Sequence, residues 1–149
     1  MDKMNVQVKK LHPDAILPQY GSEFAAGADL YALAEEETIC FAPGETKLIR
    51  TGISLAIPAG FAGFIYARSG IATKRGLAPA NKVGVVDSDY RGEVMVSLHN
   101  HSAEEQTIAR GERIAQMVIA PYLTAVFEET DTLDDTERGA GGFGSTGRK

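Results

Sequence analysis

Hydrophobic and polar residues alternate along several short stretches of this chain. A period of two places successive side chains on opposite faces of a strand, so each stretch is predicted to be a half-buried strand. The turn Pro58-Ala59-Gly60 separates two of them. The alternating stretches are Val6 and Val8; Ile53, Leu55 and Ile57; Phe61, Gly63 and Ile65; Val94, Val96 and Leu98; and Ile114, Gln116 and Val118. Many short strands without a long helical pattern predict an all-β fold, either a sandwich or a barrel.

One short helix is predicted among these strands. Ser69 is predicted to cap a segment that runs through Lys74, and Gly76 is predicted to end it. A helix of this length needs contacts with the rest of the fold, because it does not persist alone in water.

The composition changes near residue 128. Residues 128–137 are acidic and rich in threonine, and residues 138–149 are rich in glycine. Segments of this composition do not form a packed core. We therefore predict a β-rich core over residues 1–127, which would carry any catalytic site, and an acidic linker with a flexible Gly-rich arm over residues 128–149.

Length and net charge restrict the classes of partner. The 149 residues suit one domain. A net charge of −5 argues against a protein that binds duplex nucleic acid directly. It permits a small anionic ligand, provided that arginines, backbone N–H groups and a cation gather locally around it.

Neither a membrane span nor a disulfide is predicted. No apolar run approaches the ~20 residues that cross a bilayer, and the first residues lack the apolar stretch of a secretory signal. Cys40 is the single cysteine, so no intrachain disulfide can form. A cytoplasmic location without a membrane partner is the prediction.

The Gly-rich arm has two interpretations. Gly139, Gly141 and Gly144 match the dinucleotide pattern G-x-G-x-x-G, but that motif needs a preceding strand and a following helix, so the match is spurious. A flexible linker is the usual role of such a segment. However, the Phe143 ring can stack on a base, and Arg138 with two nearby hydroxyls can bind phosphates. The arm is therefore also a candidate nucleotide-binding lid.

A second candidate site is Arg68-Ser69-Gly70, at the start of the predicted helix. The first N–H groups of a helix lack partners within it and point towards an anion placed there. Gly70 would let a ligand approach the backbone closely. The alternative is a simple N-terminal cap followed by a surface turn.

The third candidate is segment 81–92, read as a hairpin. Asp87 directly follows an apolar strand, and Ser88-Asp89 marks a turn. As a functional residue, Asp87 would be a general base that orients or deprotonates water, and Tyr90 would offer its ring face to a sugar. The alternative is a hairpin whose carboxylates are only solvated.

Polar residues within apolar strands need partners. Gln116 lies on the apolar face of its alternating stretch, so its amide needs a hydrogen bond to backbone, to a phosphate or to a catalytic water. Asp29 is flanked by apolar residues, and its burial requires an Arg partner or an outer-sphere metal contact. His99 and His101 could bind a metal from one strand face, but partly exposed strand positions are the more common role.

Five segments resemble, in order, the five motifs of the trimeric dUTPases. They are AGADLYA (26–32), ARSGIA (67–72), NKVGVVDSDYRGEV (81–94), ERIAQMVIAP (112–121) and RGAGGFGSTG (138–147). The resemblance spans nearly the whole chain, and the third and fifth segments are the most specific. Ala67 departs from the pattern, since many relatives have proline before Arg-Ser-Gly, but no chemical group is lost.

The resemblance implies a jelly-roll-like fold, a homotrimer with shared active sites, and hydrolysis of dUTP to dUMP and pyrophosphate. Such an activity limits uracil incorporation into DNA and supplies dUMP. The resemblance also implies Mg²⁺, bound mainly through the substrate phosphates and indirectly to Asp29 through water. The alternatives are a dCTP deaminase on the same fold, a non-catalytic nucleotide-binding trimer and a structural β-trimer.

The resemblance further implies roles for individual residues. The catalytic residues would be Asp87, Gln116 and Arg138. The substrate-binding residues would be Arg68, Ser69, Gly70, Asn81, Gly84, Val86, Tyr90, Met95, Arg138, Phe143, Gly144, Ser145 and Thr146. Asp87 would position a water for in-line attack on the α-phosphorus, and Tyr90 would pack beneath deoxyribose. From the closing arm, Phe143 would stack on uracil and Arg138 would act like an arginine finger.

Overall fold

Short strands make up most of the regular structure in residues 3–147, which a computed structural model describes. In chain order the elements are β1 (Gln7–Lys10), β2 (Gln19–Tyr20), β3 (Ala28–Tyr31), β4 (Thr38–Phe41), β5 (Thr46–Arg50), β6 (Ile53–Ala56), β7 (Phe61–Tyr66), α1 (Ser69–Arg75), β8 (Leu77–Pro79), β9 (Gly84–Val86), β10 (Met95–Asn100), β11 (Gln106–Ala109) and β12 (Arg113–Pro121). The outer ends of the two predicted regions, residues 1–2 and 148–149, lie outside the described residues.

The strands form four sheets, and each described pairing between strands is antiparallel. The strand orders are β1-β6, β5-β10-β8, β11-β4 and β2-β3-β12-β7-β9. The predicted all-β class is confirmed, with α1 as the helix within residues 3–147. Over that same range, no helix has the length and apolarity required to cross a bilayer.

The alternating pattern produces half-buried strands where one face meets the core. In β10, Val96 and Leu98 are 2% and 0% exposed, while the residues between and beside them are less buried. β6 differs, because Ile53, Ser54 and Leu55 are all buried. A strand with three consecutive buried residues is covered on both faces, so alternation in the sequence does not by itself reveal full burial.

One hydrophobic core connects the four sheets. The largest fully buried apolar side chains are Phe41, Leu30, Ile53, Leu77, Leu98, Ile108, Ile114, Val94, Val96 and Pro79. They come from all four sheets, and most belong to a single contact cluster. Since burial of each large aliphatic or aromatic side chain stabilises the fold by about 1.5–3 kcal/mol, this cluster provides a rigid frame for the connecting segments.

The helix α1 begins differently from the prediction. Arg68 is the N-cap residue, with extended dihedral angles (φ −93°, ψ 129°) and no side-chain cap hydrogen bond. Ser69 is already helical, so the prediction that Ser69 caps the helix is wrong. The predicted end is confirmed: Gly76 adopts φ 66° and ψ 22°, which suits a residue without Cβ, and its N–H faces the carbonyl groups of Ala72 and Ile71.

A bulge in β12 changes which residues face the core. The register with β3 shifts near the start of the strand. Consequently Ile114 and Ala115 are both 0% exposed, and Met117 is 3% exposed. Gln116 and Val118 are half-buried on the other face. The predicted common face of Ile114, Gln116 and Val118 is therefore wrong at its first residue, because the extra residue of a bulge reverses the alternation beyond it.

Candidate active site

A cavity of about 280 Å³ lies beside residues 81–95. Six residues predicted from the sequence line it: Asn81, Gly84, Val86, Asp87, Tyr90 and Met95. Five lining residues were not predicted: Leu48, Ile65, Val85, Glu93 and Val94. Leu48 is 60% exposed in the structure, but the sequence Lys47-Leu48-Ile49-Arg50 does not show which of its two apolar residues faces outward.

The segment around this cavity is a crossover between two sheets. β9 pairs with β7, whereas β10 pairs with β5 and β8. The hairpin read for residues 81–92 has no paired arms in this structure, because β9 is the strand within that range and it pairs with β7. We call residues 81–95 the crossover segment and the space beside it the crossover cavity.

The register of β9 determines where Asp87 enters the crossover cavity. Val86 is opposite Gly63, and Gly84 is opposite Ile65, on β7. Asp87 is the next residue along the chain, where the strand ends and the side chain is exposed. A carboxylate in this position is accessible to a ligand and can orient a water molecule or accept its proton.

Tyr90 is folded back within the crossover segment. Its hydroxyl donates to the carbonyl oxygen of Glu93 at 2.8 Å, and its backbone N–H donates to the carbonyl oxygen of Asp87 at 3.2 Å. A Cβ atom added at Gly92 would lie 2.4 Å from the Tyr90 hydroxyl oxygen. Glycine at position 92 therefore leaves the space that the tyrosine ring occupies.

Asp29, Arg68, Arg113 and Gln116 form a second polar group, which we call the arginine cluster. Asp29 is 8% exposed. Its Oδ1 atom is 2.7 Å from Arg68 Nε, and its Oδ2 atom is 3.4 Å from Arg113 Nη1. Of the two explanations for a buried carboxylate here, the ion pair with arginine is the one present. These charge-assisted bonds fix the orientation of the Arg68 guanidinium.

Gln116 lies where three of the family-like motifs meet. It is opposite Asp29 on β3 and opposite Tyr66 on β7. Its Nε2 atom donates to the carbonyl oxygen of Ala67 at 2.9 Å. A Cβ atom at Gly27 would lie 2.5 Å from its Oε1 atom, so the first motif leaves room for this amide. The structure thus shows the backbone hydrogen bond that was one of the explanations for Gln116.

Asp87 and the arginine cluster lie towards opposite ends of β7. Val86 is opposite Gly63, and the next position along β9 brings Asp87 to the level of Ala62. From Ala62 to Arg68 an extended chain spans roughly 20 Å, at about 3.3 Å per residue. The strand register therefore separates the backbone of Asp87 from that of Arg68 along β7.

The Gly-rich arm is separate from both regions. Arg138 Nε donates to the carbonyl oxygen of Gly141 at 2.9 Å, and the Ser145 N–H donates to the carbonyl oxygen of Gly142 at 3.0 Å. Phe143 is fully exposed. None of the hydrogen bonds described for residues 138–147 reaches the crossover cavity or the arginine cluster.

The histidine pair gains no support as a metal site. The rings of His99 and His101 meet edge to face with centroids 4.4 Å apart, and His99 Nδ1 is 2.7 Å from Thr46 Oγ1. Burial, followed by the proximity of His99 and Lys82, lowers the pKa of His101. Within residues 3–147, no three or more His, Cys, Asp or Glu side chains gather closely enough to hold a metal ion.

A larger cavity, of about 420 Å³, lies elsewhere and contains no predicted site residue. It is lined by His12, Asp14, Leu33, Ala34, Glu35, Arg50 and Arg110. Arg110 donates to the carbonyl groups of Glu35 and Glu36, and Arg50 pairs with Glu93. The guanidinium groups of Arg50 and Arg110 therefore already have partners. The chemical groups that converge around Asp87 indicate the site better than the volume of a cavity does.

Replacing Asp29 by asparagine tests the arginine cluster. We expect the free energy of unfolding to fall by about 1–3 kcal/mol, because two charge-assisted bonds weaken and two guanidinium groups lose the charge between them. Urea unfolding followed by circular dichroism measures the change. Asp131→Asn, in the exposed linker, is the control and should stay within about 0.5 kcal/mol of the parent protein. Equal unfolding free energies for both variants would contradict a stabilising role of the ion pairs.

Comparison with known protein families gives a match over most of the chain. The family model described as dUTPase matches residues 13–147. The chain belongs to the dUTPase family. The resemblance seen in the five motifs is thereby confirmed, as is the prediction that the chain is an enzyme of this family.

Two relatives named deoxyuridine 5'-triphosphate nucleotidohydrolase match 97–100% of the chain. A deoxyuridine 5'-triphosphate nucleotidohydrolase of Maricaulis maris (strain MCS10) is 48% identical over 152 residues, which cover 100% of both chains. A protein of the same name from Nautilia profundicola is 49% identical over 145 residues, covering 97% of this chain and 100% of that one.

Solved structures of phage dUTPases have the same fold. The Staphylococcus bacteriophage 80alpha dUTPase with dUpNHpp gives a TM-score of 0.87 at 28% identity, covering 97% of this chain and 99% of the phage chain. A mutant dUTPase from phage phi11 of S. aureus, in which a structural Mg(II) ion is coordinated, gives a TM-score of 0.79 at 23% identity, covering 89% of this chain and 100% of the phage chain. The predicted jelly-roll-like fold of this family is confirmed.

Proposed function

We propose that this protein hydrolyses dUTP to dUMP and pyrophosphate, with Asp87 orienting the water that attacks the α-phosphorus. The observation that carries the proposal is the crossover cavity, where Asp87, Tyr90 and Asn81 of the third motif line one space. In-line phosphoryl transfer depends mainly on positioning and charge stabilisation. The exposed carboxylate of Asp87 at the cavity edge is open to water, as a general base must be, and this supports the proposal. The activity would limit uracil incorporation into DNA and supply dUMP.

The crossover segment would read the base and the sugar. The Asn81 amide and the backbone around Gly84 and Val86 offer hydrogen-bonding groups for the uracil edge, and Met95 adds an apolar wall. A base with the wrong edge would leave these polar groups unpaired, which discriminates strongly. Tyr90 would pack beneath deoxyribose and reject a ribose 2′-hydroxyl by steric conflict.

The arginine cluster would bind the triphosphate. Asp29 orients Arg68, and the neighbouring Ser69 and Gly70 are exposed in the first turn of α1. Backbone N–H groups in a first turn lack partners within the helix. Gln116 would contact a phosphate or the attacking water from the same region. These groups would offset the repulsion between a triphosphate and a protein of net charge −5.

A homotrimer with shared active sites would unite the two regions. Asp87 and Arg68 of one chain are roughly 20 Å apart along β7. Arg68 would therefore reach the reaction centre of another copy. Apolar side chains that such an assembly would cover are Leu48 and Val85, each 60% exposed, and Leu123, Val126 and Phe127, which are 98%, 85% and 95% exposed.

The linker and arm, residues 128–149, would be a region distinct from the core of residues 1–127. The arm would close over the bound nucleotide. From Glu128 to Phe143 an extended chain spans up to roughly 50 Å, so the arm can reach a site on another copy. Phe143 would stack on uracil, and Arg138 with residues 144–146 would contact the phosphates. Ordering a flexible segment costs entropy, so closure would depend on bound nucleotide.

Mg²⁺ is the cofactor that we propose, held mainly by the substrate phosphates and by water. The described part of the chain has no cluster of three or more acidic, His or Cys ligands, which fits a cation that keeps its waters and few protein ligands. Both carboxylate oxygens of Asp29 contact arginines, so any contribution from Asp29 would pass through water. When bound, the ion supplies neutralising charge for the triphosphate and the departing pyrophosphate.

Removal of divalent cations is expected to suppress turnover by about 100-fold or more, since a metal ion contributes several kcal/mol of charge stabilisation. Pyrophosphate release from dUTP, measured in excess EDTA and again after Mg²⁺ is restored, checks this. The thermal unfolding temperature without nucleotide should be the same in both buffers. Undiminished turnover in EDTA would remove the metal from the proposal.

Pyrophosphate release from dUTP, dCTP, dTTP and UTP in the presence of Mg²⁺ tests the function as a whole. We expect kcat/KM for dUTP to exceed that for each competitor by about 100-fold or more. Ammonia release from dCTP, without pyrophosphate from dUTP, would identify a deaminase instead. Nucleotide binding without any turnover would identify a nucleotide sensor.

We further propose that the enzyme acts in the cytoplasm, without a membrane or nucleic-acid partner. The Cys40 thiol is free and exposed. A reducing compartment would keep such a thiol unpaired.

A further inference from the structure

Glu93 is a half-buried acid near the end of the crossover segment. Its hydrogen-bond partners belong to a strand and a turn that are distant in the sequence. Its side chain is 14% exposed. Its two carboxylate oxygens are 3.1 and 3.0 Å from Arg50 Nε. The Oε1 atom also accepts the backbone N–H of Gly52 at 2.9 Å. The side chain of Glu93 thus ties the crossover segment to the corner between β5 and β6.

The corner that receives Glu93 is tightly packed. Gly52 adopts φ +71°, and a Cβ atom there would lie 2.7 Å from Leu33 Cδ2 and 2.8 Å from Ala15 Cβ. The backbone therefore has little freedom to move at this point. Glu93, which accepts the Gly52 N–H, is therefore held against a part of the backbone that cannot easily move.

The backbone of Glu93 contacts the part of the crossover segment that carries Tyr90. Its carbonyl oxygen accepts the Tyr90 hydroxyl at 2.8 Å. The following residue is fixed as well, because the Val94 N–H donates to the Ile53 carbonyl oxygen at 2.8 Å. One residue therefore connects the rigid corner, through its side chain, to the Tyr90 ring, through its carbonyl group.

We propose that Glu93 is a positioning residue, which fixes how far the Tyr90 ring extends into the crossover cavity. The position of the ring in turn determines how strongly a ribonucleotide is rejected. Arg50 helps to hold the Glu93 carboxylate in place. This inference rests on the proposed function, in which Tyr90 packs beneath the sugar. A steric test against one hydroxyl group depends on placement to within a fraction of an ångström, and a misplacement of about 1 Å changes rates by up to about 100-fold.

The electrostatics at Arg50 agree with this arrangement. The hydrogen bond that Arg50 donates to Glu93, followed by the negative charge of Glu93, raises the pKa of Arg50. Arg50 remains half exposed, with a side-chain exposure of 52%. Arg50 therefore contributes less to the position of Tyr90 than Glu93 does, because Glu93 also accepts the Gly52 N–H.

The test compares kcat and KM for dUTP and for UTP in Glu93→Ala, Glu93→Gln, Arg50→Ala and the parent enzyme, with the thermal unfolding temperature of each. We expect Glu93→Ala to lower the ratio of kcat/KM for dUTP over UTP by about tenfold, mainly through faster UTP turnover. Glu93→Gln keeps an oxygen for the Gly52 N–H and should restore part of the ratio. Arg50→Ala should lower it by less than Glu93→Ala.

Three further variants separate positioning from direct contact and from general charge effects. If Glu93 acts through the Tyr90 hydroxyl, adding Glu93→Ala to Tyr90→Phe should change the ratio little beyond the single Tyr90→Phe variant. Lys47→Ala removes a cation from the same strand as Arg50; Lys47 pairs with Glu45 at 3.5 Å. This matched control should keep the parental ratio.

The possible results are distinct. A parental dUTP-to-UTP ratio in both Glu93 variants, with only a lower unfolding temperature, would overturn the positioning role and leave the proposed function intact. Fully additive effects of Glu93→Ala and Tyr90→Phe would also overturn it. Absence of dUTP turnover in the parent enzyme would overturn the proposed function itself and this inference with it.

Discussion

Asp87→Asn is expected to lower kcat for dUTP by about 10²–10⁴-fold while changing nucleotide affinity by no more than about threefold. Asparagine matches the size of aspartate but neither accepts a proton nor draws a water proton with a full negative charge. A positioned general base contributes a factor of this size to the chemical step. Binding should persist because the proposed contacts to base, sugar and phosphates belong to other residues.

Two measurements separate the catalytic effect of Asp87→Asn from a binding effect. Single-turnover pyrophosphate release gives the rate of the chemical step. Titration calorimetry with the nonhydrolysable analogue dUpNHpp gives the affinity. Asp89→Asn is a matched control, because Asp89 is exposed in the same turn and is not one of the residues that line the cavity. The control should keep the parental rate.

The outcome that would contradict the role of Asp87 is specific. Normal single-turnover release in Asp87→Asn would exclude the carboxylate as the group that activates water. Loss of dUpNHpp binding in the same variant would instead make Asp87 a binding residue. In either case the cavity would need another candidate for the base.

Removal of residues 138–149 is expected to lower kcat/KM for dUTP by about 10³-fold or more. The arm would supply an arginine in the manner of an arginine finger, a group that contributes about 10³–10⁵ in phosphoryl transfer. Arg138→Ala should account for most of the loss in kcat. Phe143→Ala should mainly raise KM, because stacking on a base contributes about 1–3 kcal/mol to binding.

Controls for the arm separate chemistry from folding. Glu129→Gln, in the exposed linker, should keep the parental rate. The unfolding temperature of the truncated chain should also be unchanged, because the described arm makes no hydrogen bond to the core. Protection of the arm from proteases by dUpNHpp checks that closure depends on nucleotide. Full activity of the truncated chain would show that the arm is only a linker.

A mixing experiment tests whether the sites are shared between copies. Asp87→Asn chains and chains truncated after residue 137 should each be nearly inactive alone. After they are unfolded and refolded together, some sites receive an intact Asp87 from one chain and an intact arm from another. We expect activity to reappear in the mixture. No recovery, with mixed assemblies demonstrated by mass spectrometry, would mean that each chain builds its own site.

Features that depend on residues close together in the sequence were predicted well. The alternation at Val96 and Leu98 matches their burial, and Gly76 ends the helix as expected. The residues of the third motif were grouped correctly, because Asp87, Tyr90 and Asn81 lie close together in the chain and one short segment brings them to one cavity. Local steric preferences and side-chain periodicity act over a few residues, so they are visible in the sequence.

Features that depend on distant partners were missed or left open. Arg50 and Glu93 are 43 positions apart, and Arg68 and Asp29 are 39 apart. No local pattern selects one such pair among the many acids and bases of the chain. The crossover at residues 81–95 was also missed, because two neighbouring strands can pair with each other or with other strands at nearly equal local preference.

The sequence alone determined the all-β class, the short helix and the proximity of Asn81, Asp87 and Tyr90, since each follows from periodicity or from neighbouring motif residues; the division into a core and an arm stays a prediction. Only the tertiary structure decided that the bulge in β12 places Ile114 and Ala115 together in the core. It also decided that β7 holds Asp87 and Arg68 apart. Strand register and long-range ion pairs result from packing of the whole core, and their energies depend on contacts that no single segment contains.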